Sequence, residues 1–240
     1  MRETHGGDIY GVSRELGCRP TDIADFSANI NPLGPSPAVW KAIIKARRFV
    51  NHYPDPLCRD LRELLGQQWR VDPDQIVVGN GSMELIDAIP RAFNLRRLLI
   101  IRPTFSEYER AMARAGGSVT AISAKGAEEY AVPVDRLCRL IDSLERKALV
   151  LDGLVLCNPN NPTGQACSSD EVGRVIKLAA QRGLWVVIDE AFVDYCPERS
   201  VLPWAVSWPR VLILRSLTKF YALPGLRVGY AVADHAVARR

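Results

Sequence analysis

Short apolar runs that alternate with segments of helical length restrict this chain more than any motif in it. The runs cover residues 75–79, 98–101, 118–122, 148–157, 184–188 and 211–214, and the segments between them carry apolar residues at helical spacing. Runs this short suit strands, and the central ones are apolar throughout, which requires burial on both faces. A helix between two strands carries the chain back so that the second strand runs parallel to the first. The expected fold class is therefore α/β: a three-layer sandwich with a mostly parallel sheet covered by helices on both faces.

Helices are predicted at 38–49 and 57–69, from residue 80 onward, after Pro103 into Ala115, at 134–144, and from a Ser168-Ser-Asp-Glu cap to about Arg182. The prolines of HYPDP (52–56) stop the first of these. Ahead of them, residues 1–37 contain a His5-Gly-Gly turn, a short helical piece at 9–16, and DFSANINPLGPSP at 25–37. That density of Ser, Asn, Gly and Pro supports no long regular element, so the segment reads as an arm laid across the rest. The expected division is an N-terminal arm and substrate loop at 1–37 and one large domain at 38–240.

Composition serves mainly to exclude. At 240 residues the chain can bury a large core, and 24% charged residues are ordinary for a globular protein. No run of about eighteen apolar residues exists, and Met1-Arg-Glu-Thr-His5 is too polar for a signal peptide, so a cytoplasmic protein with no membrane association is expected. The net charge of +4 comes from dispersed arginines, which argues against nucleic acid and for small anionic ligands. The six cysteines form no C-x-x-C pair and read as reduced and structural. His5, His52 and His235 are too scattered to suggest a metal site.

The residues with chemical potential each fall at the C-terminal end of a predicted strand, the edge where open α/β sheets bind ligands. After the run at 75–79, a Gly79-Asn-Gly81 turn leads into a helix and makes an anion cradle, with Gly81, Ser82 and Met83 as contacts. It lacks the third glycine and the later acidic residue of a dinucleotide fingerprint, which leaves a phosphate site of another kind. Phe105, Asn161, Asp189 and Ser216 with Lys219 follow the later strands. A lysine beside Ser216 and Thr218 at the end of a buried strand is a candidate Schiff-base amine. Arg227, eight residues on and opening a further strand-like run, suits an anionic group, to which Ser216 can donate. Phe105 could stack on a ring, Asp189 pair with a protonated ring nitrogen, and Asn161 hydrogen-bond a ring oxygen. A phosphate, an aromatic ring and an aldehyde together describe pyridoxal 5'-phosphate. Each residue has an ordinary alternative: Asp189-Glu190 as a solvated pair or helix cap, Phe105 as core, and Asn161 as a turn residue.

From about residue 25 to 239 the chain resembles the fold-type I pyridoxal-phosphate enzymes of the aminotransferase class I and II group. The resemblance rests on NPNNPTG (158–164), DEAF (189–192) and SLTKFYALPGLRVGY (216–230), in that order. It implies that Lys219 holds the cofactor as an imine, Asp189 partners the pyridine nitrogen, Asn161 the ring hydroxyl, and Arg227 with Ser216 the phosphate. It also implies a homodimer in which Tyr53 reaches the cofactor phosphate of the other copy. HGGDIY (5–10), DFSANINPLG (25–34) and Phe192 are similar to the branch that decarboxylates L-threonine O-3-phosphate to (R)-1-aminopropan-2-yl phosphate in cobalamin biosynthesis. The histidinol-phosphate aminotransferase branch usually carries a tyrosine where Phe192 stands. On that resemblance His5, Gly6, Asn31, Gly34 and Asn161 are expected to contact substrate. An aminotransferase and a non-catalytic cofactor-binding fragment are the alternatives. The family continues beyond the position of Arg240 with a small domain, so the chain is expected to be truncated, with a complete cofactor half-site and weak or absent turnover on its own.

Overall fold

The computed structural model describes residues 6–144, 146 and 148–240; His5, expected on the substrate, lies outside them. Seven strands form one sheet: β1 Ile76–Asn80, β2 Arg97–Arg102, β3 Ser118–Ser123, β4 Gly153–Cys157, β5 Trp185–Asp189, β6 Val211–Ser216 and β7 Val228–Ala233. Their order is β1-β7-β6-β5-β4-β2-β3. All pairings from β6 through β5, β4 and β2 to β3 are parallel. β7 is antiparallel to both β6 and β1. One consequence governs the site: because β7 runs backwards, its first residues lie at the same edge as the last residues of its neighbours.

The apolar runs divide by alternation, as a strand buried on both faces must. Leu99, Ile101, Leu154, Leu156, Val186, Ile188, Val211 and Ile213 join one core. Leu98, Ile100, Val155, Cys157, Val187, Leu212 and Leu214 join the other. The main helices are α1 Ile9–Leu16, α2 Pro37–Ala46, α3 Arg59–Trp69, α4 Ser82–Ala92, α5 Glu107–Arg114, α6 Val134–Asp142 and α7 Ser169–Gln181. α3, α6 and α7 contribute to the first core, and α4 and α5 to the second, completing three layers. Among the described residues, no helix is long and apolar enough to cross a membrane.

Several boundaries move from their sequence-based positions for local reasons. The run expected from residue 148 enters the sheet only at Gly153, because Asp152 turns its carboxylate onto the backbone N–H groups of Arg96 and Arg97, both at 2.7 Å. The helix expected at 38–49 ends at Ala46 and tightens into a 3-10 turn at Arg47–Phe49. Asn80 belongs to β1, since Gly81 at φ 77° separates strand from helix. The Ser168 cap forms as expected: its hydroxyl accepts from the Glu171 N–H at 3.2 Å, and Glu171 Oε2 accepts from the Ser168 N–H at 2.7 Å.

Candidate active site

The ends of β1, β4, β5 and β6 and the start of β7 converge on a cavity of about 110 Å³. Its lining includes Ser82, Met83, Phe105, Asn161, Asp189, Phe192, Ser216, Lys219 and Arg227, each singled out from sequence, together with Tyr108, Cys157, Ala191 and Thr218. A larger cavity of about 530 Å³ opens beside it toward the arm, shares Met83, Phe105, Asn161 and Lys219, and adds Gly6, Ser27 and Asn29. A third, of about 650 Å³, shares Asn161 and Phe192 and reaches Tyr195, Glu198 and Arg199.

One end of the small cavity gathers backbone N–H donors and the Arg227 guanidinium. α4 begins there, so the free N–H groups of its first turn and the positive end of its dipole face the cavity. At Gly229 the packing leaves no room for a side chain, and at Gly81 one could enter only by displacing Arg227 and adopting a left-handed φ of 77°. A Cβ on Gly81 would fall on Arg227 Nη2, and one on Gly229 would fall on Ser82 N and lie 2.7 Å from Gly81 C. Arg227 reaches this point from a left-handed backbone (φ 55°), with Nη1 donating to Pro224 O at 3.2 Å and Nη2 to Asn80 O at 3.5 Å. Ser216 and Thr218, both buried, share a hydroxyl–hydroxyl bond of 2.7 Å beside it.

Asp189, 3% exposed, lies at the end of β5. Its Oδ1 accepts from the Ala191 N–H at 2.9 Å and its Oδ2 from the Tyr108 hydroxyl at 2.6 Å. Burial pushes the Asp189 carboxyl above the usual carboxylate range, and the Tyr108 and Ala191 bonds oppose that rise. Such a carboxylate gains from a cation placed in the cavity. Burial, with the nearby positive charge of Arg227, lowers the Lys219 ammonium below its ordinary value and favours the free amine. Among the described residues no carboxylate lies within salt-bridge distance of Lys219.

The asparagines of the 158–164 loop have separate tasks. Asn158 is fully buried and bridges to Cys167, its Oδ1 accepting from the Cys167 N–H at 2.7 Å. Asn160 donates to Pro103 O at 2.9 Å and accepts from the Thr104 hydroxyl at 2.9 Å, tying the loop to β2's end. Asn161 is the one that lines all three cavities.

The other expected contacts are distributed unevenly. Gly6 lines the arm-side cavity, whereas Asn31 spends its amide on Phe220 O at 2.9 Å while its N–H donates to Lys219 O at 3.1 Å. Asn31 therefore fastens the arm to the lysine turn. Gly34 (φ 73°) closes the turn that follows and lines none of the three cavities. Tyr53 is fully exposed and is likewise absent from their linings. Tyr108 escaped the sequence reading, although a tyrosine on the apolar side of a helix needs a hydrogen-bond partner, which was a usable signal.

A seven-stranded, mostly parallel sheet with a lysine, a buried carboxylate and an anion cradle at one edge defines the pyridoxal-phosphate-dependent transferase fold. The sequence matches the Aminotransferase class I and II family over residues 21–240, and the chain belongs to that family, whose members depend on pyridoxal phosphate. It is 37% identical to threonine-phosphate decarboxylase of Salmonella typhimurium, over 100% of this chain and 65% of that protein. It is 33% identical to histidinol-phosphate aminotransferase 1, chloroplastic, of Arabidopsis thaliana, over 91% of this chain and 50% of that protein. The solved structure of L-threonine-O-3-phosphate decarboxylase from Porphyromonas gingivalis superposes with a TM-score of 0.75 at 26% identity, covering 89% of this chain and 61% of that one. The chain thus spans about two thirds or less of the length of these relatives.

Proposed function

We propose that the chain binds pyridoxal 5'-phosphate in the small cavity and forms the cofactor half of a decarboxylase acting on L-threonine O-3-phosphate. The observation that carries the reading is one cavity lined by Lys219, Asp189 and the Gly81–Arg227 anion cradle. The residues fit the cofactor at each end. The first turn of α4, Ser216, Thr218 and Arg227 would hold its phosphate, Phe105 its ring face, Asn161 its ring hydroxyl, and Lys219 its aldehyde carbon covalently. When bound, the cofactor supplies an electron sink for the pair released at the substrate α-carbon. Asp189 would accept the ring N–H and keep that proton in place. Lys219, its free amine favoured by burial and by Arg227, would be the residue to carry a proton at the substrate α-carbon.

Three considerations support decarboxylation over transamination: the greater identity to a threonine-phosphate decarboxylase, the arm sequence, and Phe192, which offers no hydroxyl to the ring oxygen. The family likeness to histidinol-phosphate aminotransferases makes transamination the second reading. We further propose a homodimer. Phe26 and Leu33 on the arm, Trp40 and Ile44 on α2, and Val50 and Tyr53 after it expose much of their apolar surface, and a second copy would cover them and bring Tyr53 to its cradle. Sedimentation measures that assembly directly.

Titrating the protein with pyridoxal phosphate tests the cofactor reading: a visible absorbance band is expected in the wild type and not in Lys219→Ala, and a wild type without the band overturns it. Incubating a loaded version extended to the length of its relatives with threonine phosphate then separates the chemistries. Release of CO₂ supports the decarboxylase, and a keto acid with aminated cofactor supports the aminotransferase.

A further inference from the structure

Beneath the cavity, on the opposite face of the sheet, lies a charged cluster that the reaction does not touch. Alternation dictates it: Asp189 and Ser216 face the cavity, so Glu190 and Arg215 face the core on the other side. Arg215 is 2% exposed and Glu190 fully buried. Arg215 Nη1 donates to Glu190 Oε2 at 2.8 Å, and its Nη2 to Asp194 Oδ1 at 2.7 Å. Its guanidinium stacks over the Trp69 ring at 4.4 Å, and Trp69 Nε1 donates to the Tyr230 hydroxyl at 2.9 Å. Glu190 is further held by the Ser200 hydroxyl and the Val201 N–H, both at 2.7 Å.

A buried cluster of this kind is poor evidence for stability, because well-packed apolar residues of the same volume commonly serve as well or better. What it provides is geometry. Each charged member is covalently next to a residue of the site: Glu190 follows Asp189, and Arg215 precedes Ser216. Asp194 precedes Tyr195, whose ring meets the edge of Phe220 at 5.1 Å, and Phe220 follows Lys219. A planar fork with two fixed donor directions therefore joins the end of β5, the end of β6 and the turn against which the lysine loop rests. Asn31 holds the same loop from the arm side.

We infer that Arg215 is a positioning residue that, through Glu190 and Asp194, sets the placement of Lys219 relative to Asp189. The inference rests on the cofactor reading above. An aldehyde carbon and a ring nitrogen are fixed points on one rigid ring, so the lysine and the carboxylate that meet them must keep a fixed separation. Displacements near 1 Å at such points cost about a hundredfold in rate, and contacts to the cofactor are lost with them.

Two variants test this by cofactor titration, with the visible circular dichroism of the bound cofactor as a second readout. Asp194→Asn leaves the Glu190–Arg215 pair intact and releases the Tyr195 side. The triple change Arg215→Met, Glu190→Gln and Asp194→Asn removes every charge of the cluster and so avoids an unpaired buried ion. Far-UV circular dichroism and melting confirm folding. A rise in cofactor Kd of roughly tenfold or more in the triple variant, the equivalent of about one charge-assisted hydrogen bond misplaced, a smaller rise in Asp194→Asn, and an altered visible dichroism in both are expected. If either folded variant binds with wild-type Kd and dichroism, the positioning role is overturned. If the wild type itself binds no cofactor, the function proposed above fails instead. Should the triple variant not fold, the Asp194→Asn result decides.

Discussion

Gly229→Ala tests the anion cradle most sharply, because the substitution adds one methyl group outside the cavity. Gly229 pairs with Ser216 of β6 and Gly79 of β1, under the first turn of α4. Its Cβ would fall on Ser82 N, 2.7 Å from Gly81 C and 2.8 Å from Ser82 Cα, where ordinary contact begins at 3.4 Å. All three are backbone atoms, so none can swing away as a side chain would, and the start of α4 must retreat. Overpacking of this kind costs about 1–3 kcal/mol, or roughly 2–4 °C of Tm per kcal/mol in a chain of this size. A phosphate hydrogen bond lost from the displaced helix end is charge-assisted and worth about 1.5–3 kcal/mol. Cofactor affinity should therefore fall roughly tenfold to a hundredfold, read by titrating the visible band. Gly225→Ala is the control: it lies in the same loop as Arg227, and its Cβ would meet nothing within 4 Å. Near-wild-type affinity in Gly229→Ala, or an equal loss in Gly225→Ala, would refute the reasoning.

Asp189→Asn should weaken cofactor binding and the band together, because an amide cannot hold a proton on the ring nitrogen as an anion does; equilibrium titration against wild type checks it. Tyr108→Phe acts through pH. Burial sets the folded Asp189 carboxyl above its ordinary 3.8, so its stabilising contribution is present below that value and is lost as pH rises through the folded one. Removing the Tyr108 bond raises the folded value further, so the cofactor-free variant should keep losing stability to higher pH than wild type, as melting curves across a pH series would record. Ile213→Ala, at a fully buried site in the centre of the sheet, should cost about 2–5 kcal/mol by denaturant unfolding.

The sheet was legible because strands buried on both faces carry almost no polar residues, and their helical spacing forces parallel crossovers. The cavity was legible for a related reason: polar groups collected at strand ends once the interiors were apolar. What sequence could not supply were the partners. The Tyr108 hydroxyl meets a carboxylate 81 residues away, and Asn31, read as a substrate contact, meets Phe220 O across 189 residues. Arg215 is the clearest case. Counting by two along β5 and β6 separates Asp189 and Ser216 from Glu190 and Arg215, so their opposite faces follow from sequence alone. Their meeting depends on register: Asp189 stands opposite Leu214, and the Glu190 N–H donates to Leu214 O at 2.9 Å, which brings Glu190 level with Arg215. A one-residue slip would turn Arg215 toward the cavity and leave Glu190 and Asp194 buried without their cation. The buried ion pair and the turning of Asp189 and Ser216 into the cavity are therefore two results of one register, which is why changes on the buried face are expected to be read at the cofactor.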